Sequence, residues 1–119
     1  MRFRVLILAA LLAAHAALAE DKVGPHGGPI ADLGMFHGEL VTKEKVVDLY
    51  VTDGAEQPVP VAGYTGIAIL VAGAKSERVT LEPAENNRLT GTSTVALPGK
   101  PKGAVRVTAS DGPNPSSKL

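Results

Sequence analysis

Residues 25–52 read PHGGPIADLGMFHGELVTKEKVVDLYVT, and the second half of this stretch decides the fold. From Met35 to Val51 apolar and polar residues alternate on both sides of a short charged segment, which is the signature of a β-hairpin. Phe36, Gly38 and Leu40 share one face of the first strand, and Val47, Leu49 and Val51 share one face of the second. The two sets face the same way if Thr42 pairs with Val47, which closes a loop of Lys43-Glu44-Lys45-Val46 and sets Leu40 opposite Leu49. A slip by one residue would set Leu40 against Asp48 and turn an apolar face to water, so the pattern selects its own register. On the other, less apolar face this pairing puts Glu39 beside Tyr50, His37 beside Thr52 and Val41 beside Asp48.

The chain downstream repeats the short-strand theme. Asp53-Gly54 opens a turn, and Glu56 to Pro60 reads as an extended or edge segment, because proline cannot donate to a ladder. Gly66 to Ala72 (GIAILVA) is a nearly continuous apolar run, which predicts a strand buried on both sides. Arg78 to Glu82 alternates, with Val79 and Leu81 inward. Leu89 to Leu97 alternates again, placing Leu89, Val95 and Leu97 on one face and Thr90, Thr92 and Thr94 on the other. Val105 and Val107 mark the last strand, and the Pro-, Ser- and Asn-rich residues 110–119 read as a disordered tail. Six to seven short strands with regular turn signals predict an all-β domain, a small antiparallel β-sandwich of immunoglobulin-like type spanning residues 20–109. A small barrel is the alternative.

Upstream, the chain starts like an export signal. Arg2 and Arg4 give a basic start, Val5 to Ala14 is unbroken apolar sequence, and Ala17-Leu18-Ala19 fits the small-x-small cleavage rule. Residues 1–19 are therefore expected to be a signal peptide, leaving an exported chain in the periplasm or beyond, with no membrane insertion after cleavage. That form keeps ten basic and twelve acidic groups, a net charge of −2. Near-neutral charge without a basic stripe gives no electrostatic footprint for nucleic acid. The chain has no cysteine, so disulfides and thiolate metal sites are excluded.

Chemistry concentrates in residues 25–52. His26 and His37 are the two histidines beyond the signal segment. His37 and Glu39 stand two apart on a strand, so their side chains leave one face about 6–7 Å apart, and His26 on the glycine-rich loop could supply a third donor. Imidazole nitrogens with a carboxylate oxygen suit a transition metal ion, copper or zinc first and nickel or cobalt next. Met35, whose thioether favours Cu⁺, and Asp48, across the hairpin, are possible additional ligands. The competing reading is a surface histidine above a tight PHGG turn. No enzyme is expected: Ser76, Ser93, Ser110, Ser116 and Ser117 fall in turns, strands or the tail with no histidine base and acid arranged around them, and no glycine loop leads into a helix to cradle phosphate.

The run PHGG…FHGELV…KVVDLYVTDGAEQPVPVAG, followed by an apolar strand and Asn-x-Leu-x-Gly, resembles small exported bacterial proteins and the N-terminal segment of periplasmic adaptor subunits of heavy-metal efflux systems. The resemblance covers most of residues 25–91. It implies a periplasmic role in binding or handing on a transition metal, in company with an efflux component, and it points to His26, His37 and Glu39. With two histidines and no methionine cluster, the chain departs from a dedicated metal carrier. The alternative is a β-sandwich interaction module without metal, docking to an envelope protein through its edge strands.

Overall fold

The structure, a computed structural model, describes residues 23–110 and the backbone of residues 116–118. The expected signal peptide lies outside the described residues, as does most of the expected tail. Eight strands follow one another: β1 (Ile30–Leu33), β2 (Phe36–Lys43), β3 (Val46–Asp53), β4 (Thr65–Ala72), β5 (Lys75–Pro83), β6 (Arg88–Thr92), β7 (Gly103–Thr108) and β8 (Ser116–Lys118). They pair antiparallel in the order β1-β2-β3-β6-β5-β4-β7-β8, and no helix occurs among the described residues.

The β2–β3 hairpin has the register that the alternation selects. Leu40 opposes Leu49, Thr42 opposes Val47, Glu39 opposes Tyr50 and His37 opposes Thr52. The ladder runs one pair further than the pattern required, to Lys43 and Val46. Only Glu44 and Lys45 are left to turn the chain, with Glu44 in the left-handed region at φ 57°.

β5 joins the two layers. Its residues 75–81 pair with β4, while Glu82 and Pro83 pair with Thr90 and Leu89 of β6. One layer is thus β1-β2-β3-β6 and the other β5-β4-β7-β8, with β1 approaching β7 and β8 to nearly close the sheet. The result is a small antiparallel β-sandwich whose two layers share one continuous strand order. Leu33, Leu40, Val47, Leu49, Val51 and Leu89 of one layer face Leu70, Val79, Leu81, Val105 and Val107 of the other, all buried. Phe36 and Tyr64 close one end of this aliphatic core edge to face, with ring centroids 6.1 Å apart.

Two expectations need correction. β4 is not buried on both sides: Gly66, Ala68 and Leu70 are inward, but Ile69 is 41% and Val71 40% exposed on the outer face. The strand from Leu89 stops at Thr92. Beyond it Ser93 N donates to Lys45 O at 2.7 Å and Leu97 N to Glu44 O at 2.8 Å. The chain is thereby carried across the end of the hairpin, and Val95 faces solvent while Leu97 is buried. Within residues 110–119, the backbone of Ser116–Lys118 pairs with β7. Ladder hydrogen bonds are made by the backbone, so polar composition does not prevent an edge strand.

The crossing segment is pinned by Glu77, whose Oε1 accepts from Thr94 Oγ1 at 2.6 Å and Ser93 Oγ at 3.3 Å. The Thr94 hydroxyl is the main cause holding the Glu77 carboxyl below its ordinary range. A lowered folded value means that the associated stabilisation is present above the ordinary value of about 4.3 and is lost as pH falls through the folded value. Thr94→Val should move the Glu77 midpoint upward, read from its carboxyl carbon by NMR. The two apolar residues that alternation places together should also separate. Leu89→Ala should cost about 2–5 kcal/mol in denaturant unfolding, whereas Val95→Ser should stay within about 0.5 kcal/mol.

Candidate metal centre

The outer face of β2 presents His37, Glu39 and Val41, and its neighbours complete the rows. Glu39 stands between Ile30 of β1 and Tyr50 of β3, and His37 stands between Asp32 and Thr52. Over this face folds the Pro25–Pro29 loop. It is closed by hydrogen bonds from Gly24 N to Gly28 O and from Gly27 N to Gly24 O, and joined to β2 through Leu40 N to Pro29 O at 3.0 Å.

The loop covers Glu39, which is only 5% exposed although it lies on the outward side of its strand. A carboxylate there is stable only if donors replace the water it loses. Glu39 Oε2 accepts from His26 N at 2.7 Å and Gly28 N at 2.9 Å. Its Oε1 accepts from the His26 ring at Nδ1, 2.8 Å away. Two glycines make the close approach possible. A Cβ on Gly24 would fall 2.3 Å from Glu39 Cδ, and one on Gly28 would fall 2.1 Å from the Leu40 carbonyl oxygen.

The His26 ring is held on two sides. Its face stacks on Tyr50, with centroids 3.8 Å apart and planes 8° from parallel, and its Nδ1 meets the carboxylate. An ionised carboxylate only accepts, so the neutral ring donates from Nδ1 and keeps the lone pair on Nε2. The side chain is half exposed. His26, His37, Asp32, Tyr50, Thr52 and Asn87 line one cleft of about 360 Å³.

The candidate residues thus divide. His26, His37 and Glu39 come to a single cleft. Met35 does not join them: it sits in the turn between β1 and β2 rather than on the strand, largely exposed and away from the cleft. Asp48 is on the same sheet face but outside the cleft. Its Oδ1 accepts from Arg88 Nη1 at 3.0 Å and Thr90 Oγ1 at 2.6 Å. Arg88 is further fixed by two bonds to Glu85, which hold the Glu85 carboxyl below its ordinary range. Tyr50 and Asn87 were not candidates in the sequence. Tyr50 could have been found from its register opposite Glu39, whereas Asn87, from the β5–β6 connection, reaches the cleft only through the fold.

Measured against a metal ion, the donor set is partial. Two imidazoles and the Asp32 carboxylate are nitrogen and oxygen donors of the right kind. Both oxygens of Glu39 are already engaged by the loop, so Glu39 fits the role of orienting His26 better than that of a ligand. Among the described residues no group of three histidine, aspartate or glutamate side chains is arranged to hold an ion. No family model matches the chain, and no curated protein or solved structure shows significant similarity to it.

Glu39→Ala should leave the His26 and Gly28 amides without their acceptor. We expect a loss of about 2–3 kcal/mol in denaturant unfolding, with faster hydrogen exchange at those two amides and little change at the amides of β4 and β7. Uniform loss of protection instead would mean that Glu39 supports the whole fold rather than the loop.

Proposed function

We propose that this chain is an exported, periplasmic transition-metal-binding protein that takes up and hands on one ion, copper or zinc, at the cleft between His26 and His37. The observation that carries the reading is the clamped His26 ring: a carboxylate on Nδ1 and a tyrosine on its face leave Nε2 as the free donor, with His37 and Asp32 lining the same cleft. A carboxylate–imidazole pair of this kind raises ligand basicity and fixes ring orientation. His26 and His37 would hold the ion, Asp32 lines the same cleft as a further oxygen donor, and Glu39 keeps His26 in place. When bound, the ion would retain coordination positions for solvent or for a ligand of a receiving protein. That suits transfer better than storage, since closed structural sites use four protein ligands. The resemblance of the PHGG and His-x-Glu-Leu motifs to segments of heavy-metal efflux adaptors supports a receiving component of that kind.

The chain carries its own reporter. It has no tryptophan and two tyrosines, one of them stacked on His26. Titrating the chelator-stripped protein with Cu²⁺ should quench tyrosine emission, and should broaden both imidazole ring signals in NMR, at one equivalent and low micromolar metal. His37→Ala should abolish the stoichiometric phase, and Glu39→Gln should weaken binding about 10–100-fold. Zn²⁺, Ni²⁺ and Co²⁺ titrations rank the metals. A response of either ring only at millimolar metal, or one unchanged in His37→Ala, would sink the proposal.

A further inference from the structure

The exposed side of β4 belongs to no site described above. Ile67, Ile69 and Val71 stand in a row on it, and at about 3.3 Å rise per residue the row is about 13 Å long. Arg78 of β5 opposes Ile69 on one side, and Arg106 of β7 opposes Ile67 on the other. Two strand spacings set the backbones that carry the arginines roughly 10 Å apart. Ile67, Ile69, Arg78, Ala104 and Arg106 surround a hollow of about 200 Å³.

The arginines are unspent. Among the described residues neither takes part in a salt bridge or a side-chain hydrogen bond, in contrast to Arg88, which is paired with both Asp48 and Glu85. The described polar residues sharing this face are Ser76, Thr80, Thr65 and Thr108. Its one carboxylate, Glu82, lies four residues along β5 from Arg78. A mid-sheet strand written as apolar on both sides, with one side open and flanked by two unpaired guanidinium groups, is a surface shaped for a partner.

We propose that this face binds a protein segment that places an aliphatic side chain in the Ile67–Ile69 hollow and carboxylates against Arg78 and Arg106. Charge selects among occupants. A second copy packed face to face would set four of these arginines against two carboxylates, the Glu82 pair, and leave positive charge uncompensated. An anionic membrane is usually engaged through clusters of four to eight basic residues and interfacial aromatics, whereas among the described residues this face has two arginines and no aromatic. β4 is paired on both edges, so the partner adds side chains to the face and not a strand to the sheet. The surface lies on the layer opposite the histidine cleft and does not depend on metal binding.

The test uses isotope-labelled protein and three 12-residue peptides repeating Ser-Leu-Glu, Ser-Leu-Lys and Ser-Ser-Glu. The Ser-Leu-Glu peptide should shift the amides of Ile67, Ile69, Ala104 and Arg106. The Arg78→Ser/Arg106→Ser double variant, with unchanged amide positions elsewhere, should bind it at least 10-fold more weakly. The lysine and leucine-free peptides should leave those amides unmoved. Shifts confined to other strands, equal binding of the lysine peptide, no binding of any peptide, or binding only to phosphatidylglycerol-containing vesicles would each overturn the proposal, the last in favour of a membrane.

Discussion

One buried carboxylate organises the N-terminal half of this molecule. Glu39 lies on the solvent side of its strand, yet it is sheltered by a loop that supplies two backbone N–H groups and one imidazole N–H to its two oxygens. The dependence is mutual. Without the loop the carboxylate would return to water, and without the carboxylate those amides would have no partner within the chain. Charge-assisted hydrogen bonds to backbone N–H groups are among the stronger polar contacts available to a small domain. This one fixes the loop path, the orientation of His26 and one wall of the cleft.

The sandwich gives its two outer faces different chemistry. On the β1–β3 layer, proline, tyrosine and two histidines frame a concave site whose donors are nitrogen and oxygen atoms. On the β4–β5–β7 layer, three aliphatic side chains lie between arginines. If the first face handles an ion and the second docks a partner, docking leaves the ion accessible, as transfer to a receiving protein requires. Either property can fail without the other, because the core separates the residues involved.

The contrast between Asp48 and Glu39 shows why residue type and spacing were insufficient for the site. Both are carboxylates on the outer face of the same hairpin, and both were plausible ligands. Asp48 meets Arg88 and Thr90, which arrive from β6 through a pairing about 40 residues away in sequence. Glu39 meets a loop only 11–13 residues upstream, but the spending of both its oxygens on that loop depends on two glycines allowing backbone contact. Neither outcome follows from alternation, because alternation assigns a face and not a partner.

Alternation by itself determined the hairpin register, the all-β class and the inward set of Leu40, Leu49, Val79, Leu81, Leu89 and Val107. A period of two together with the cost of exposing an apolar face leaves little choice. It also brought His37 and Glu39 to one side of one strand. Where alternation could not decide, the tertiary structure did. The apolar run of β4 has the composition of a strand covered twice, but no described element lies over its outer side. Val95 keeps phase with Leu89 in sequence and loses it in space once Ser93 and Leu97 are drawn to the hairpin end. The approach of His26 to Glu39 and Tyr50 likewise rests on a loop folding back over a sheet. These are questions of what lies above a face, and the contacts that answer them come from residues distant along the chain.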